Sequence, residues 1–303
     1  MNSEKLIDVS FIIISYRDRE YLEKAIRSIY THVKDISHEV LVIDNANDKE
    51  IQALIEREYS VVRYYAIPEN KGYGYAVNEG AAKAASNCFC IMNSDIEFIS
   101  DGIKKVIGRL RDEQQTGIAG PRLVFPDMSF QRSWGLKPTV FNEAITQIIN
   151  FLHRRKLFLS GTIERSQKEF YAEWLTGACF FVKKEVWEEL EGFDTHFFLY
   201  LEDADLCLRA LQHGYKILYC PELEVIHYLG KSKEHNITQA TLEAKRSQLY
   251  FYKKHNSRHE QSILKYYLLG KFYFKLILAK LVKGENSQNQ KLLHNIINML
   301  KSR

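Results

Sequence analysis

The stretch VSFIIISYRDREYLEKAIRSIYTHVKDISHEVLVIDN, residues 9–45, decides the fold. Residues 9–15 form a continuous apolar, β-rich run, the pattern of a buried strand. Over residues 19–33 the period changes: Leu22, Ala25, Ile26, Ile29 and Tyr30 recur at helical spacing. Residues 39–44, EVLVID, return to a buried strand and end in an acid.

The alternation continues. Residues 49–58 read as a helix, 61–67 as a strand, and 72–86 as a glycine-led helix rich in alanine. Residues 88–92 read as a strand running into Asn93-Ser94-Asp95, and 102–113 as a helix. Strands alternating with helices predict an α/β fold with a mainly parallel sheet. Ligands in such sheets sit beyond the carboxyl ends of the strands. Ser15-Tyr16, Asp44-Asn45 and Asn93-Ser94-Asp95 all fall at such ends.

Further along, residues 131–137 read as loop, and 150–167 as loop and basic helix, a flap. Residues 174–182, WLTGACFFV, read as a strand, 184–190 as a short helix and 201–213 as a helix with acids at its start. Residues 217–219 and 225–227 read as two short strands, and 239–282 as helical. The expected division is a catalytic domain over 1–238 and a helical extension over 239–303.

Composition sets the class. The 303 residues are 46% hydrophobic and 26% charged, enough for a sizeable core. The cysteines number five, with no CxxC pair, which disfavours a disulfide framework and a structural zinc site. The first apolar run is too short for a signal sequence and no 18-residue apolar stretch occurs, so a cytoplasmic location is expected. Residues 241–303 hold thirteen Lys/Arg against three acids, a net of +10, whereas the rest of the chain is −6. Such a tail suits an anionic surface. The acidic body and the lack of any nucleic-acid motif exclude nucleic acid as the partner.

Several polar groups have the chemistry of a site. Asn70-Lys71-Gly72, opening a helix, can accept phosphate at a helix N-terminus. Asp95 is a hard oxygen ligand for a divalent cation. Glu202, Asp203 and Asp205 crowd one helix start, where like charge raises proton affinity and fits a general base. Asp205 and Arg209 are four apart, an ion-pair spacing, so a structural role for that pair is the simpler reading. Trp174 offers a face for a sugar ring, or a piece of core. Singly, each acid could equally be a cap or a turn residue.

Taken together, four segments resemble family 2 glycosyltransferases of the GT-A fold. They are VSFIIISYRDREYLEKAIRSI; VLVIDNAND with ENKGYGYAVNEG; IMNSDIEF; and WLTGACFFVKKEVWEELEGFDTHFFLYLEDADLCLRALQHGYKILYCPELEVIHYLGKS, spanning residues 9–232 in family order. The last is most like bacterial rhamnosyltransferases and galactofuranosyltransferases. The resemblance implies a Rossmann-like, mixed, mainly parallel sheet flanked by helices, with a C-terminal amphipathic extension. It implies that Asn93-Ser94-Asp95 stands where the family has a DXD-type motif, with Asn departing from Asp at the first position.

By the same resemblance Asp95 and His227 hold Mg2+ or Mn2+, with Gly230-Lys231-Ser232 beside the diphosphate. Ser15, Tyr16, Arg17, Asp44, Asn70, Lys71, Gly72, Asn78, Asn93 and Ser94 line the donor nucleotide. Asp44 takes the N3–H of a uracil or thymine. Glu202 is the base of an inverting transfer with Asp203 beside it, and Trp174, Thr176, Gly177 and Asp205 face the acceptor. His227 on an apolar strand is equally a satisfied core residue.

The implied reaction moves a sugar from a nucleotide sugar to a lipid-linked glycan in surface polysaccharide synthesis, O-antigen or capsule. The implied donor is dTDP-L-rhamnose, with a UDP-sugar such as UDP-galactofuranose as the alternative. A sugar nucleotidyltransferase would carry a glycine-rich signature near the first strand, where residues 15–20, SYRDRE, have no glycine. A non-catalytic sugar-binding module is the remaining alternative. The tail, with YFYKK and LKYYLLGKFYFKLILAKLVK, has the composition of an interfacial helix and places the protein peripherally on the inner membrane face. The competing reading packs that helix on the catalytic domain.

Overall fold

The computed structural model describes residues 7–143, 145, 164–229, 237–281 and 287–302. Residues 150–163 of the expected flap, and Gly230-Lys231-Ser232, lie outside the described residues.

The first half follows the sequence closely. Strand β1 (Val9–Ser15) leads through α1 (Arg19–His32) to β2 (His38–Asp44). Then come α2 (Lys49–Glu58), β3 (Arg63–Ala66), α3 (Tyr73–Ala81), β4 (Cys88–Asn93), β5 (Ile96–Phe98) and α4 (Ile103–Asp112). β1 pairs in parallel with both β2 and β4, which brings Ser15, Asp44 and Asn93 to one edge of the sheet.

The continuous apolar run of β1 has a direct cause. Val9, Phe11 and Ile13 face a core containing Leu22, Ile26 and Ile29 of α1 and Val106 and Leu110 of α4. Ile12 and Ile14 face a second core with Ala76 and Val77 of α3. Each such aliphatic side chain, fully removed from water, contributes about 1.5–3 kcal/mol before entropy is charged against it.

Beyond α4 come β6 (Thr116–Val124), β7 (Phe130–Gln131), β8 (Trp134–Gly135), β9 (Phe170–Ala172), β10 (Trp174–Leu175) and β11 (Cys179–Lys183). They are followed by α5 (Lys184–Glu189), α6 (Glu202–Gln212) and β12 (Lys216–His227). The main sheet runs β3-β2-β1-β4-β11-β6-β12-β5, with β7 beside β6 and β9 beside β12. It is mixed: β3, β2, β1 and β4 are parallel, as are β6 and β12, while β11 and β5 run against their neighbours.

Three departures from the sequence reading matter. β6 was not legible, because Gly117, Gly120 and Pro121 disguise it. Its glycines answer close approaches: a Cβ at Gly117 would lie 3.1 Å from Tyr215, and one at Gly120 2.9 Å from Leu175. Residues 174–182 are two strands, broken where Thr176 N donates to Ser133 O at 2.9 Å and Gly177 N to Asp203 Oδ2 at 2.6 Å. The two short strands expected at 217–219 and 225–227 are the two ends of β12, joined across a register shift between Cys220 and Glu224.

The C-terminal region forms α7 (Ile237–His255), α8 (Arg258–Leu281) and α9 (Ser287–Lys301), so residues 239–281, read as helical, hold parts of two helices. These helices pack on α6. Leu206, Cys207 and Ala210 of α6 face the sheet, while Ala204 and Leu208 join a third core with Phe251, Tyr252, Leu264 and Leu268. The helix that begins with the acidic cluster is thereby held on two sides.

Candidate active site

A cavity of about 620 Å³ opens beyond the carboxyl ends of β1 and β4. It is lined from distant parts of the chain, and it brings Asp95 and Glu202 together.

Asp95 follows β4 directly and is buried. Its carbonyl accepts from Tyr228 N at 3.0 Å, which fixes it beside the end of β12. There His227 Nε2 lies 3.4 Å from Asp95 Oδ1, longer than a good hydrogen bond. On its other side His227 Nδ1 is 3.0 Å from Gln131 Oε1. A ring protonated at Nδ1 donates to Gln131 and turns its Nε2 lone pair toward Asp95. That is the arrangement of a metal-ligating histidine with an orienting partner. One carboxylate and one imidazole could hold Mg2+ or Mn2+. Among the described residues, no group of three or more His, Cys, Asp or Glu forms a closed protein cage.

Glu202 opens α6 and is 5% exposed. Two non-glycine residues in left-handed conformation precede it, Tyr200 (φ 73°) and Leu201 (φ 68°), and both line the cavity. Such backbone costs on the order of 1–3 kcal/mol per residue and persists where surrounding structure enforces it. The helix N-terminus favours an anion by about 1 kcal/mol. Burial works the other way and wins, because Glu202 Oε2 is buried with no hydrogen-bond partner. Burial, then the like charge of Asp203, holds the Glu202 carboxyl well above the usual carboxylate range.

Asp203 is also raised by burial, against the pull of its hydrogen bonds from Gly177 N at 2.6 Å and Ala204 N at 2.7 Å. It thus fixes the β10–β11 connection, which presents Thr176 and Gly177 to the cavity. Trp174 lines the cavity as well, with Nε1 donating to Leu136 O at 2.8 Å.

Tyr16, Asn70, Gly72, Asn93 and Ser94 also line the cavity. Gly72 has φ 104°, and a Cβ there would lie 2.5 Å from Phe198 O. Only glycine lets this turn pass so near the segment that leads to Glu202. Asp44 is placed differently from the sequence expectation. Its carboxylate is fully buried and accepts from Ala46 N (2.9 Å), Asp48 N (2.6 Å) and the Tyr64 hydroxyl (2.7 Å). Adjacent side chains at a strand end point to opposite sides, and it is Asn45 that lines the cavity, with a buried Oδ1 that has no partner.

Other expected site residues hold structure instead. Ser15 Oγ donates to Asp18 Oδ1 at 2.8 Å and is fully buried away from the cavity. Asn78 turns back, donating to Phe193 O at 2.9 Å and accepting from Phe193 N at 3.0 Å. Asp205 does not reach the cavity. Its carboxylate is paired with Arg209 (2.8 Å), Lys254 (2.7 Å) and His255 (2.7 Å). Arg17 and Lys71 do not line the cavity either; each lies over a tyrosine ring, Tyr16 at 5.6 Å and Tyr75 at 5.1 Å.

Sequence reasoning missed two contributors. Asp18 ties the ends of β1 and β4, accepting from Ser15 Oγ, Tyr16 N and Ser94 Oγ. Its spacing, three beyond Ser15, was the available signal, but it reads as an ordinary helix cap. The other is α7, which lends Gln239, Ala240 and Glu243 to the cavity. Gln239 Nε2 and Arg246 Nη1 both donate to Glu243 Oε1, at 2.8 and 2.7 Å.

The sequence matches the family model described as glycosyl transferase family 2 over residues 10–202, and one described as glycosyl transferase family group 2 over residues 150–282. It is similar to an N-acetylglucosaminyl-diphospho-decaprenol L-rhamnosyltransferase of Mycobacterium tuberculosis, at 25% identity over 73% of this chain and 76% of that protein. It is also similar to the dTDP-rhamnosyl transferase RfbF of Shigella flexneri, at 23% identity over 68% of this chain and 65% of that protein. In fold it is similar to a mannosyltransferase of Pyrobaculum calidifontis, solved with GDP-Man and Mn2+. That likeness has a TM-score of 0.57 at 15% identity, over 98% of this chain and 85% of that one.

Proposed function

The chain belongs to glycosyl transferase family 2, and we propose that it is an inverting transferase moving L-rhamnose from dTDP-L-rhamnose to a lipid-linked oligosaccharide of a bacterial surface polysaccharide. The observation that carries the reading is Glu202 Oε2, buried and unpartnered, in the cavity that also holds Asp95. The names of the rhamnosyl-transferring relatives support the choice of sugar.

In this reading Tyr16 and Asn45 receive the base. The Asn45 amide can accept the N3–H of thymine or uracil through the oxygen that lacks a partner, while its nitrogen donates to Asn70 Oδ1 and Gly72 O and holds the group in place. Asn70, Gly72, Asn93 and Ser94 run along the nucleotide and diphosphate. Asp95 and His227 hold a divalent cation, which when bound neutralises charge on the departing diphosphate. Trp174 stacks on the acceptor sugar, while Thr176 and the Gln239–Glu243 pair bind its hydroxyls. Glu202 takes the proton from the attacking hydroxyl as that oxygen bonds the anomeric carbon and the nucleoside diphosphate leaves. Its raised proton affinity suits it to accept that proton. Attack on the face opposite the leaving group inverts the anomeric centre, with no covalent enzyme intermediate.

The test is slow donor hydrolysis and transfer across a panel of nucleotide sugars with Mn2+. Turnover selective for dTDP-L-rhamnose is expected. Selective turnover of UDP-galactofuranose would replace the sugar assignment while leaving the chemistry intact. For the base, Glu202→Gln is expected to keep donor binding and to lose transfer by about 10²-fold or more. Transfer at the parent rate in that variant would remove Glu202 from the role.

A further inference from the structure

Helix α8 has two apolar faces, and only one is covered. Leu264, Leu268, Phe272 and Leu276 are buried in the third core. At about 100° per residue, the centre of a second stripe lies nearly opposite. It is made of Ile263, Tyr266, Phe274, Ile277 and Leu281, which are 53–73% exposed. A contiguous exposed apolar stripe of this size marks an interaction site rather than ordinary surface.

The borders of the stripe identify what it meets. By the same rotation Lys280 falls along one edge and Lys271 along the other, while Lys265 and Lys275 flank the covered stripe. Glu260, in the first turn, is the only acid in α8. Tyr266 and Tyr273 stand toward one edge of the stripe and Tyr267 toward the other, between the aliphatic centre and the lysines. Apolar centre, tyrosine margin and cationic rim reproduce, across one helix, the order of acyl chain, interface and headgroup phosphate in a bilayer. A second copy of this chain docking through the same face would set lysine against lysine at the margins. No helix among the described residues is long and apolar enough to cross a membrane.

We propose that this outer face of α8 is a docking surface for an anionic lipid bilayer, on which the helix lies parallel to the membrane plane. The proposal deepens the reading of a lipid-linked acceptor and rests on it only for the purpose of docking. The route from membrane to site is short, because α8 packs against α7, and α7 lends Gln239 and Glu243 to the cavity.

The test is cosedimentation of the full chain with vesicles of phosphatidylcholine alone and of phosphatidylcholine mixed with phosphatidylglycerol. Binding is expected to the mixed vesicles, weakened by salt. The paired substitution Phe274→Glu with Ile277→Glu is expected to lower partitioning by about tenfold or more, with the thermal midpoint unchanged. Lys271→Gln with Lys280→Gln is expected to weaken binding to the mixed vesicles alone. Unchanged partitioning of the folded glutamate variant overturns the proposal. So does a concentration-dependent dimer that the glutamate variant dissolves while the parent chain ignores vesicles. Turnover of a nucleotide sugar in lipid-free buffer reports on the catalytic reading separately.

Discussion

His255 Nε2 lies 2.7 Å from Asp205 Oδ1, and this contact fastens the C-terminal helix α7 to the helix that begins with Glu202. Arg209 and Lys254 complete the cluster, and the Asp205 side chain is fully buried. Burial alone would raise the Asp205 pKa, but the His255 hydrogen bond and the charges of Arg209 and Lys254 outweigh it and hold the carboxyl below its ordinary value. A depressed carboxylate gives stability that is present above the unfolded value near 3.8 and lost as pH falls through the folded value. Asp205→Ala removes the buried acceptor shared by Arg209, Lys254 and His255, while Lys254 keeps Asp194 and Arg209 keeps Leu190 O and Gly192 O, and the expected loss is about 1–3 kcal/mol. Urea unfolding checks it; a loss under 1 kcal/mol, on the order of an exposed pair, would show that the cluster does not hold the two helices together.

In the proposed reaction Glu202 is the base, and the pH dependence of transfer follows from it. A base must be ionised to act, and burial with the neighbouring Asp203 makes this carboxyl keep its proton above the ordinary value of 4.5. The acid limb of kcat/KM is therefore expected above that value. Asp203→Asn removes the like charge, so the limb should move to lower pH. An unmoved limb, in a variant that still binds donor, would mean that the charge of Asp203 does not act on Glu202.

Gln131 is expected to matter through His227 rather than through substrate. Gln131→Leu removes the acceptor at 3.0 Å from Nδ1 and frees the ring to turn. The Mn2+ concentration giving half-maximal turnover should rise by about 10–100-fold, the usual range for loss of an orienting partner. Donor KM at saturating Mn2+ should change little. A fall in kcat with no change in the metal requirement would speak against His227 as a ligand.

Gly72→Ala tests the turn that passes close to Phe198. The new Cβ would meet Phe198 O at 2.5 Å in a backbone with φ 104°, so the segment carrying Tyr200 and Leu201 must shift. A cost of about 1–3 kcal/mol is expected in thermal unfolding, with a larger proportional loss of kcat. A variant with parent stability and parent kcat would show that this approach is not required.

Several elements were legible because they are local. The bounds of β1 and α2 could be read from apolar period alone, since those residues are buried against whatever lies above and below the sheet. Asp95, Glu202 and Asp203 were singled out by the order of the family-like motifs, since a carboxylate at a strand end or helix start reads by itself equally as a cap or turn residue. Asp44 and Asn45 show the limit. Both end β2, but which of the two turns to the cavity depends on the twist of that end and on Tyr64 of the neighbouring strand reaching Asp44. Asn78 shows the same limit on a helix, where the loop at Phe193 claims the amide.

By itself the sequence determined the alternation of strands and helices, and with it an open sheet whose carboxyl edge gathers polar residues. That follows from burial, which each run of apolar residues records where it stands. Only the tertiary structure decided that α7, carrying Glu243, closes a cavity built mainly from earlier elements. It also decided that Asp205 is spent on Lys254 and His255, and that α8 keeps a second apolar face uncovered. Those outcomes depend on contacts between residues far apart in the chain, whose pairing no local period encodes.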